Sequence, residues 1–200
     1  MVRAGLVVAS GGNLSVREPE ADVFWVTTAG AWLDQIGEDS VVPVRVSDGA
    51  PGREGVTPTT ELALHVQTYR ARPDVNAIVH LHPQTAVLLD ALGERVRLIT
   101  TDHAYYLRRV ATTPFHPPGS AELADAAARA VQDGTNCVIL AHHGCSVLGE
   151  TLEMAHRRAA NLEEAARLTY RALVLIGGIS GQSIPDCPWD LTGNSGYPSP

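Results

Sequence analysis

The residues of this chain best suited to chemistry are histidines and one glutamate. His80 and His82 stand in Val79-His80-Leu81-His82-Pro83, His142 and His143 precede Gly144, and Glu61 ends Pro58-Thr59-Thr60-Glu61. On a strand, side chains two apart share a face, so His80 and His82 point the same way and offer two nitrogens from one strand end. His143 or His142 supplies a third nitrogen from a second strand end. Glu61 is either a fourth, displaceable ligand or a general base. Imidazole nitrogens with one carboxylate suit Zn2+ or a similar divalent ion, and a set with no cysteine and an exchangeable position leans towards catalysis rather than structural support. Gly11-Gly12-Asn13, flanked by Ser10 and Ser15, reads either as a nest of backbone N–H groups for an anion or as a plain tight turn.

These side chains need elements to hold them. The uncharged stretch from Val75 predicts a buried strand running to His82, where Pro83 ends it because it donates nothing to a ladder. Val79 and Leu81 then face a core. Thr57 to Glu61 opens a predicted helix reaching about Arg72, with a threonine as N-cap, Glu61 in its first turn, and Leu62, Val66 and Tyr69 as its buried stripe. Further strands are expected at Phe24–Thr27, Val41–Val46, Arg97–Thr100 and Cys137–Ala141. Further helices are expected at Thr85–Leu92, from Ser120 to about Gln132, and from Thr151 to about Ile176, each with turn or cap residues at its ends. Asp34 to Asp39 reads as a short helix or turn, and the polar-aromatic run from Thr101 to Tyr106 fits no element. One domain is expected over 1–176, followed by a Gly/Pro/Ser-rich tail over 177–200 that carries Trp189 and Tyr197.

Composition narrows the chemistry. A net charge of −7 disfavours nucleic acid and anionic membrane as partners, and no apolar run reaches the roughly 18 residues that span a bilayer. The three cysteines, Cys137, Cys145 and Cys187, have neither disulfide nor zinc-finger spacing, which with no convincing signal peptide predicts reduced thiols in a cytoplasm. All fifteen basic residues are arginine. Schiff-base and lysine-base chemistry is therefore excluded, because arginine does not surrender its proton, and any carbanion needs a metal as its electron sink.

Taken in order, Ser-Gly-Gly-Asn-Leu-Ser-Val-Arg (10–17), Thr-Thr-Ala-Gly (27–30), Pro-Thr-Thr-Glu-Leu-Ala-Leu-His (58–65), the run Tyr69 to Pro83 and His-His-Gly (142–144) resemble the class II aldolase/adducin family. The resemblance covers about residues 5 to 176. It implies an α/β (α+β) three-layer domain, with a central, mainly antiparallel β-sheet flanked by helices on both faces, assembled as a C4 homotetramer with its metal site at a subunit interface. Carried onto this chain, it implies His80, His82 and His143 as ligands of Zn2+ (or Mn2+ or Co2+), and Glu61 as the catalytic acid/base. Asn13, Gly30, Thr59 and Thr60 fall where the family grips the substrate's phosphate or enediolate end, and His142 faces away. The implied activity is that of a lyase: a zinc-dependent aldolase that cleaves a small sugar phosphate or related hydroxy-carbonyl compound through a metal-bound enediolate. A same-scaffold epimerase, dehydratase or decarboxylase is the alternative, and a non-catalytic adducin-like module a further one. Two departures bear on the substrate: Ala29 replaces a hydroxyl residue, and no tyrosine stands at 100 or 101, near which Asp102, His103, Tyr105 and Tyr106 are possible substitutes.

Overall fold

The computed structural model describes residues 1–177 together with 183, 184 and 186. Trp189, Tyr197 and Cys187, and with them most of the expected tail, lie outside the described residues. Among the described residues seven strands form one sheet: β1 (Asn13–Arg17), β2 (Val23–Thr27), β3 (Val41–Arg45), β4 (Ala77–Leu81), β5 (Val110–Thr113), β6 (Cys137–Leu140) and β7 (Gly144–Gly149). Their order is β3-β2-β1-β4-β7-β6-β5, and every neighbouring pair is antiparallel except β5 with β6.

Helices cover both faces, as expected. On one face lie α1 (Leu62–Ala71) and α4 (Ala121–Val131), whose Leu64, Tyr69, Leu123 and Ala127 pack with Phe24, Val26, Ile78, Val138 and Leu140. On the other lie α2 (Gln84–Ala91), α3 (Thr101–Leu107) and α5 (Leu152–Ile176), whose Leu89, Leu107, Ala155, Ala159 and Leu162 pack with Ala77, Val79, Leu81, Ile139 and Val147. The alternation along β4 and β6 is the period-two pattern of a sheet buried on both sides. Ser120 and Thr151 cap α4 and α5 through Leu123 N and Met154 N, as the sequence predicts.

Several expectations are corrected. α1 begins at Leu62, not in the Thr57–Glu61 stretch, and no threonine caps it: Glu61 itself is the N-cap residue, and Leu62 is only half-buried. Arg97–Thr100 is not a strand. Its backbone donors go to side chains instead, Arg97 N to Thr169 Oγ1 at 2.9 Å and Leu98 N to Asp186 Oδ1 at 2.9 Å, so no neighbouring strand is needed to satisfy them. Unforeseen were β1 and β5, α3, capped by Thr100, and β7, whose glycine at each end hid it. β4 stops at Leu81, which leaves His82 just beyond the strand.

Candidate metal centre

The site lies where β1, β4, the β6–β7 turn and the N-terminus of α1 meet. Register places it: Asn13 of β1 pairs with His80 of β4, which pairs on its other side with Ser146 of β7. Residues directly opposite share a face of the sheet, so Asn13 and His80 are presented together on the face that α1 covers. His143 follows β6 in a tight turn in which His142 takes a left-handed conformation, φ 57°, and His143 N donates to Leu140 O at 3.0 Å. That turn delivers His143 and leaves His142 exposed beside Phe115, its backbone N donating to Asp90. His142 therefore lies apart from the cluster, on the far side of the turn.

Two glycines permit the close approach. A Cβ on Gly12 would sit 2.6 Å from the carbonyl oxygen of His80. One on Gly144 would press on the Leu81 carbonyl oxygen and lie 2.6 Å from Cδ2 of His82. Both contacts involve main chain or a packed ring, so hydrogen alone fits there.

His80, His82 and His143 each offer a ligand atom within 4.8 Å of the others. His80 Nε2 lies 2.9 Å from His82 Nε2 and 2.7 Å from Glu61 Oε2, and His143 Nε2 lies 3.6 Å from Glu61 Oε1. His80 is fully buried, and its Nδ1 is 3.0 Å from the carbonyl oxygen of Cys145. A carbonyl only accepts, so Nδ1 carries the hydrogen and Nε2 presents its lone pair to the cluster unless a second proton arrives. A bare ring nitrogen facing a carboxylate at 2.7 Å calls for positive charge at that point, from a shared proton or from a metal ion. Glu61 Oε1 and His143 Nδ1 are buried without a hydrogen-bond partner among the described residues. The donor set and these orphaned atoms fit a divalent ion held by three imidazoles, with Glu61 beside it.

Electrostatics agree. Burial resists ionisation of Glu61, but its contacts with His80, then His143 and Asn13, outweigh it and hold the carboxyl at about 2. Burial, then His80 and His143, hold His82 at about 4, and burial followed by His80 lowers His143 as well. Neutral imidazoles and an ionised carboxylate are the ligating forms.

The predicted substrate contacts converge on the same place. Asn13, Gly30, Thr59 and Thr60 line a cavity of about 210 Å3 whose walls also include Glu61, His82 and His143. Thr59 N donates to Thr27 O at 3.0 Å, and Thr59 Oγ1 accepts from Glu61 N at 3.3 Å, so the end of β2 sets where α1 starts. Among the described residues no arginine lines this cavity. A second, more apolar cavity of about 500 Å3 opens on the other side of His82 and His143, against Val87 and Leu88 of α2. Of the residues near the missing tyrosine, His103 is buried and committed to Thr100 and Glu164, which makes it a structural part of α3.

One residue at this site escaped the sequence reading. His65 is fully buried on α1, with Nε2 2.6 Å from Asn13 Oδ1 and Nδ1 2.7 Å from Ser15 Oγ. The available signal was its position four residues after Glu61, one helical turn along the same face. Burial, then the nearby His80, holds His65 at about 3. In the unfolded chain it titrates near 6.5, so between those values only the unfolded state is protonated. Its contribution to stability is complete above about pH 6.5 and falls as pH drops towards 3, by up to about 1.4 kcal/mol per pH unit. Glu61 adds a loss of the same sign below 4.5. Denaturant unfolding of the chelated protein from pH 7.5 to 4.5 is expected to show this decline; a flat profile contradicts it.

The family model described as "Class II Aldolase and Adducin N-terminal domain" matches residues 1–170. An L-fuculose phosphate aldolase of Methanocaldococcus jannaschii is 32% identical over 169 residues, which cover 84% of this chain and 89% of that protein. A 3-oxo-tetronate 4-phosphate decarboxylase of Escherichia coli K12 is 30% identical over 174 residues, covering 83% and 79%. Among solved structures, an L-fuculose 1-phosphate aldolase superposes with a TM-score of 0.78 at 26% identity, covering 94% of this chain and 84% of that one.

Proposed function

The chain belongs to the class II aldolase and adducin family, and from that premise we propose that it is a lyase: a divalent-metal-dependent aldolase that cleaves a small sugar phosphate or related hydroxy-carbonyl compound. The observation that carries this reading is the convergence of His80, His82 and His143 on one point beside an ionised, half-unpartnered Glu61. His80, His82 and His143 would hold the ion, with Zn2+ the first choice and Mn2+ or Co2+ as substitutes. When bound, such an ion supplies Lewis-acid polarisation of a substrate carbonyl.

The rest falls to the protein's own groups. Breaking the bond between a carbinol carbon and the carbon beside a carbonyl turns the carbinol into an aldehyde as its hydroxyl gives up a proton, and leaves electron density on the second carbon, which must gain a proton before product leaves. Glu61 Oε2 accepts from Asn13 Nδ2, whereas among the described residues Oε1 accepts no hydrogen bond, so Oε1 is the oxygen free to take up and return that proton. Asn13, the backbone at Gly30, and the hydroxyls of Thr59 and Thr60 would hold the substrate's other end. With no arginine among the described residues of that cavity, the donors they offer a phosphate are neutral, and a non-phosphorylated substrate is compatible. A homotetramer and a cytoplasmic location belong to the same reading. Trp25, Phe115 and Leu92, all exposed, suit burial against other copies, and the free thiols of Cys137 and Cys145 suit a reducing compartment. Among the described residues no helix is long and apolar enough to cross a membrane.

The likeness to a decarboxylase keeps one second reading, loss of CO2 at the same centre. Elemental analysis combined with a screen of phosphorylated and plain hydroxy-carbonyl compounds separates the two. Release of an aldehyde plus a three-carbon ketone fragment is the expected result. Evolved CO2 favours the second reading. Protein that binds no Zn2+, Mn2+ or Co2+ and stays inactive with each overturns both.

A further inference from the structure

The hydrogen bonds running inward from Glu61 form a chain in which each proton has one consistent place. Asn13 Nδ2 donates to Glu61 Oε2 at 3.2 Å, so Asn13 Oδ1 is the end facing His65. An amide oxygen only accepts, which puts a hydrogen on His65 Nε2, 2.6 Å away. Neutral His65 then has a bare Nδ1, which accepts from Ser15 Oγ at 2.7 Å, and Ser15 Oγ in turn accepts from Tyr69 OH at 2.9 Å. Ser15 and His65 are fully buried, Tyr69 is 1% exposed and Asn13 6% exposed. Water therefore has little opportunity to replace these partners.

The spacing that permits this is built into two elements. Glu61, His65 and Tyr69 are four apart along α1, about 6 Å per step. Asn13, Ser15 and Arg17 are two apart along β1, about 6.8 Å per step. The two repeats nearly match, so a helix face and a strand face interlock rung by rung. The last rung is clamped: Arg17 lies over the Tyr69 ring, 4.6 Å from its centroid, and its guanidinium donates to Val75 O at 2.8 Å and Pro73 O at 2.6 Å.

We infer that His65 is a positioning residue for the reaction proposed above, acting through Asn13. By accepting the Nε2 hydrogen of His65, Asn13 Oδ1 is turned away from Glu61, and the NH2 group is committed to Glu61 Oε2. A flipped amide would set two oxygens against each other and release the carboxylate from its pose. His65 thus keeps one carboxylate oxygen held and the other free. The inference rests on the aldolase reading for its consequence, but not for its geometry.

The test begins with the intact protein. Long-range 1H–15N spectra of 15N-labelled protein, metal-free and zinc-loaded, should show His65 neutral and protonated on Nε2 alone in both forms, with that proton protected from exchange. An Nδ1-protonated ring or an imidazolium at neutral pH overturns the inference. The spectrum requires no variant, so a His65→Leu chain that fails to fold leaves the test standing. Where it folds, kcat should fall roughly 10- to 100-fold, the range seen when a ligand's outer partner is removed, with KM much less affected. In an Asn13→Ala background the same substitution should change kcat by no more than about twofold, since its route of action is gone. His65→Gln, which restores an N–H towards Asn13, should recover most of the loss. Equal losses with and without Asn13 overturn the inference. Wild-type protein inactive on every substrate sinks the aldolase reading and leaves the ring's tautomer to decide the geometry.

Discussion

His80→Ala is expected to leave a folded protein that no longer retains a divalent ion. His80 is the hub of the cluster: fully buried, its Nδ1 tied to the Cys145 carbonyl, its Nε2 within 2.9 Å of His82 and 2.7 Å of Glu61. Deleting it removes one ligand outright and loosens the Glu61 carboxylate. Loss of an outer partner alone costs 10- to 100-fold in metal affinity, so loss of this ligand should cost more than about 100-fold. Elemental analysis after dialysis reads the occupancy. Thermal unfolding supplies an independent check. At a metal concentration 100 times Kd the wild-type protein gains about 2.7 kcal/mol, a gain the variant should lack over the same range. A His80→Ala protein with stoichiometric metal contradicts the assignment of His80, His82 and His143 as ligands.

The second large effect is on turnover rather than on binding. Glu61→Gln keeps the size of the side chain and an oxygen for Asn13 Nδ2, but it removes the charge and the capacity to carry a proton. The three imidazoles remain, so metal should be retained with reduced affinity. Turnover should fall by about 10²- to 10⁴-fold, the range supplied by a positioned acid or base. Because the wild-type carboxyl is held at about 2, it is ionised throughout the neutral range. Any pH optimum of the wild-type enzyme near neutrality should therefore come from another group. Measured kcat and metal content of Glu61→Gln decide the matter: unchanged turnover removes Glu61 from the reaction, and loss of metal with loss of turnover recasts it as a ligand first.

Much of this site was legible in one dimension because its residues sit at the ends of short apolar runs. Ala77–Leu81 and Cys137–Leu140 are strands buried on both faces, and each is followed by histidine and a turn former, a pattern visible without any neighbour. The caps of α4 and α5 were legible for the same reason, since a cap depends on residues three apart. Arg97–Thr100 misled because a short apolar pair between polar residues carries no information about what receives its backbone hydrogen bonds; Thr169 and Asp186 do, from 72 and 88 residues away.

By itself, the sequence determined the ligand types, the absence of a lysine alternative, and the strands and helices whose local spacing presents Glu61, His80, His82 and His143. Residue types and spacing left His142 and His143 equivalent, and the resemblance implied His143; the left-handed turn between β6 and β7 is what faces His143 towards His80. Tertiary structure alone joined Asn13 to His80, through strand register. It also brought His65 under Asn13, where a helical step of four residues meets a strand step of two. Chemical type and short-range spacing are properties of the chain, but the partner of each buried polar atom is a property of the packing, which brings together residues as far apart in sequence as Asn13 and His65, 52 positions, or His80 and Cys145, 65 positions.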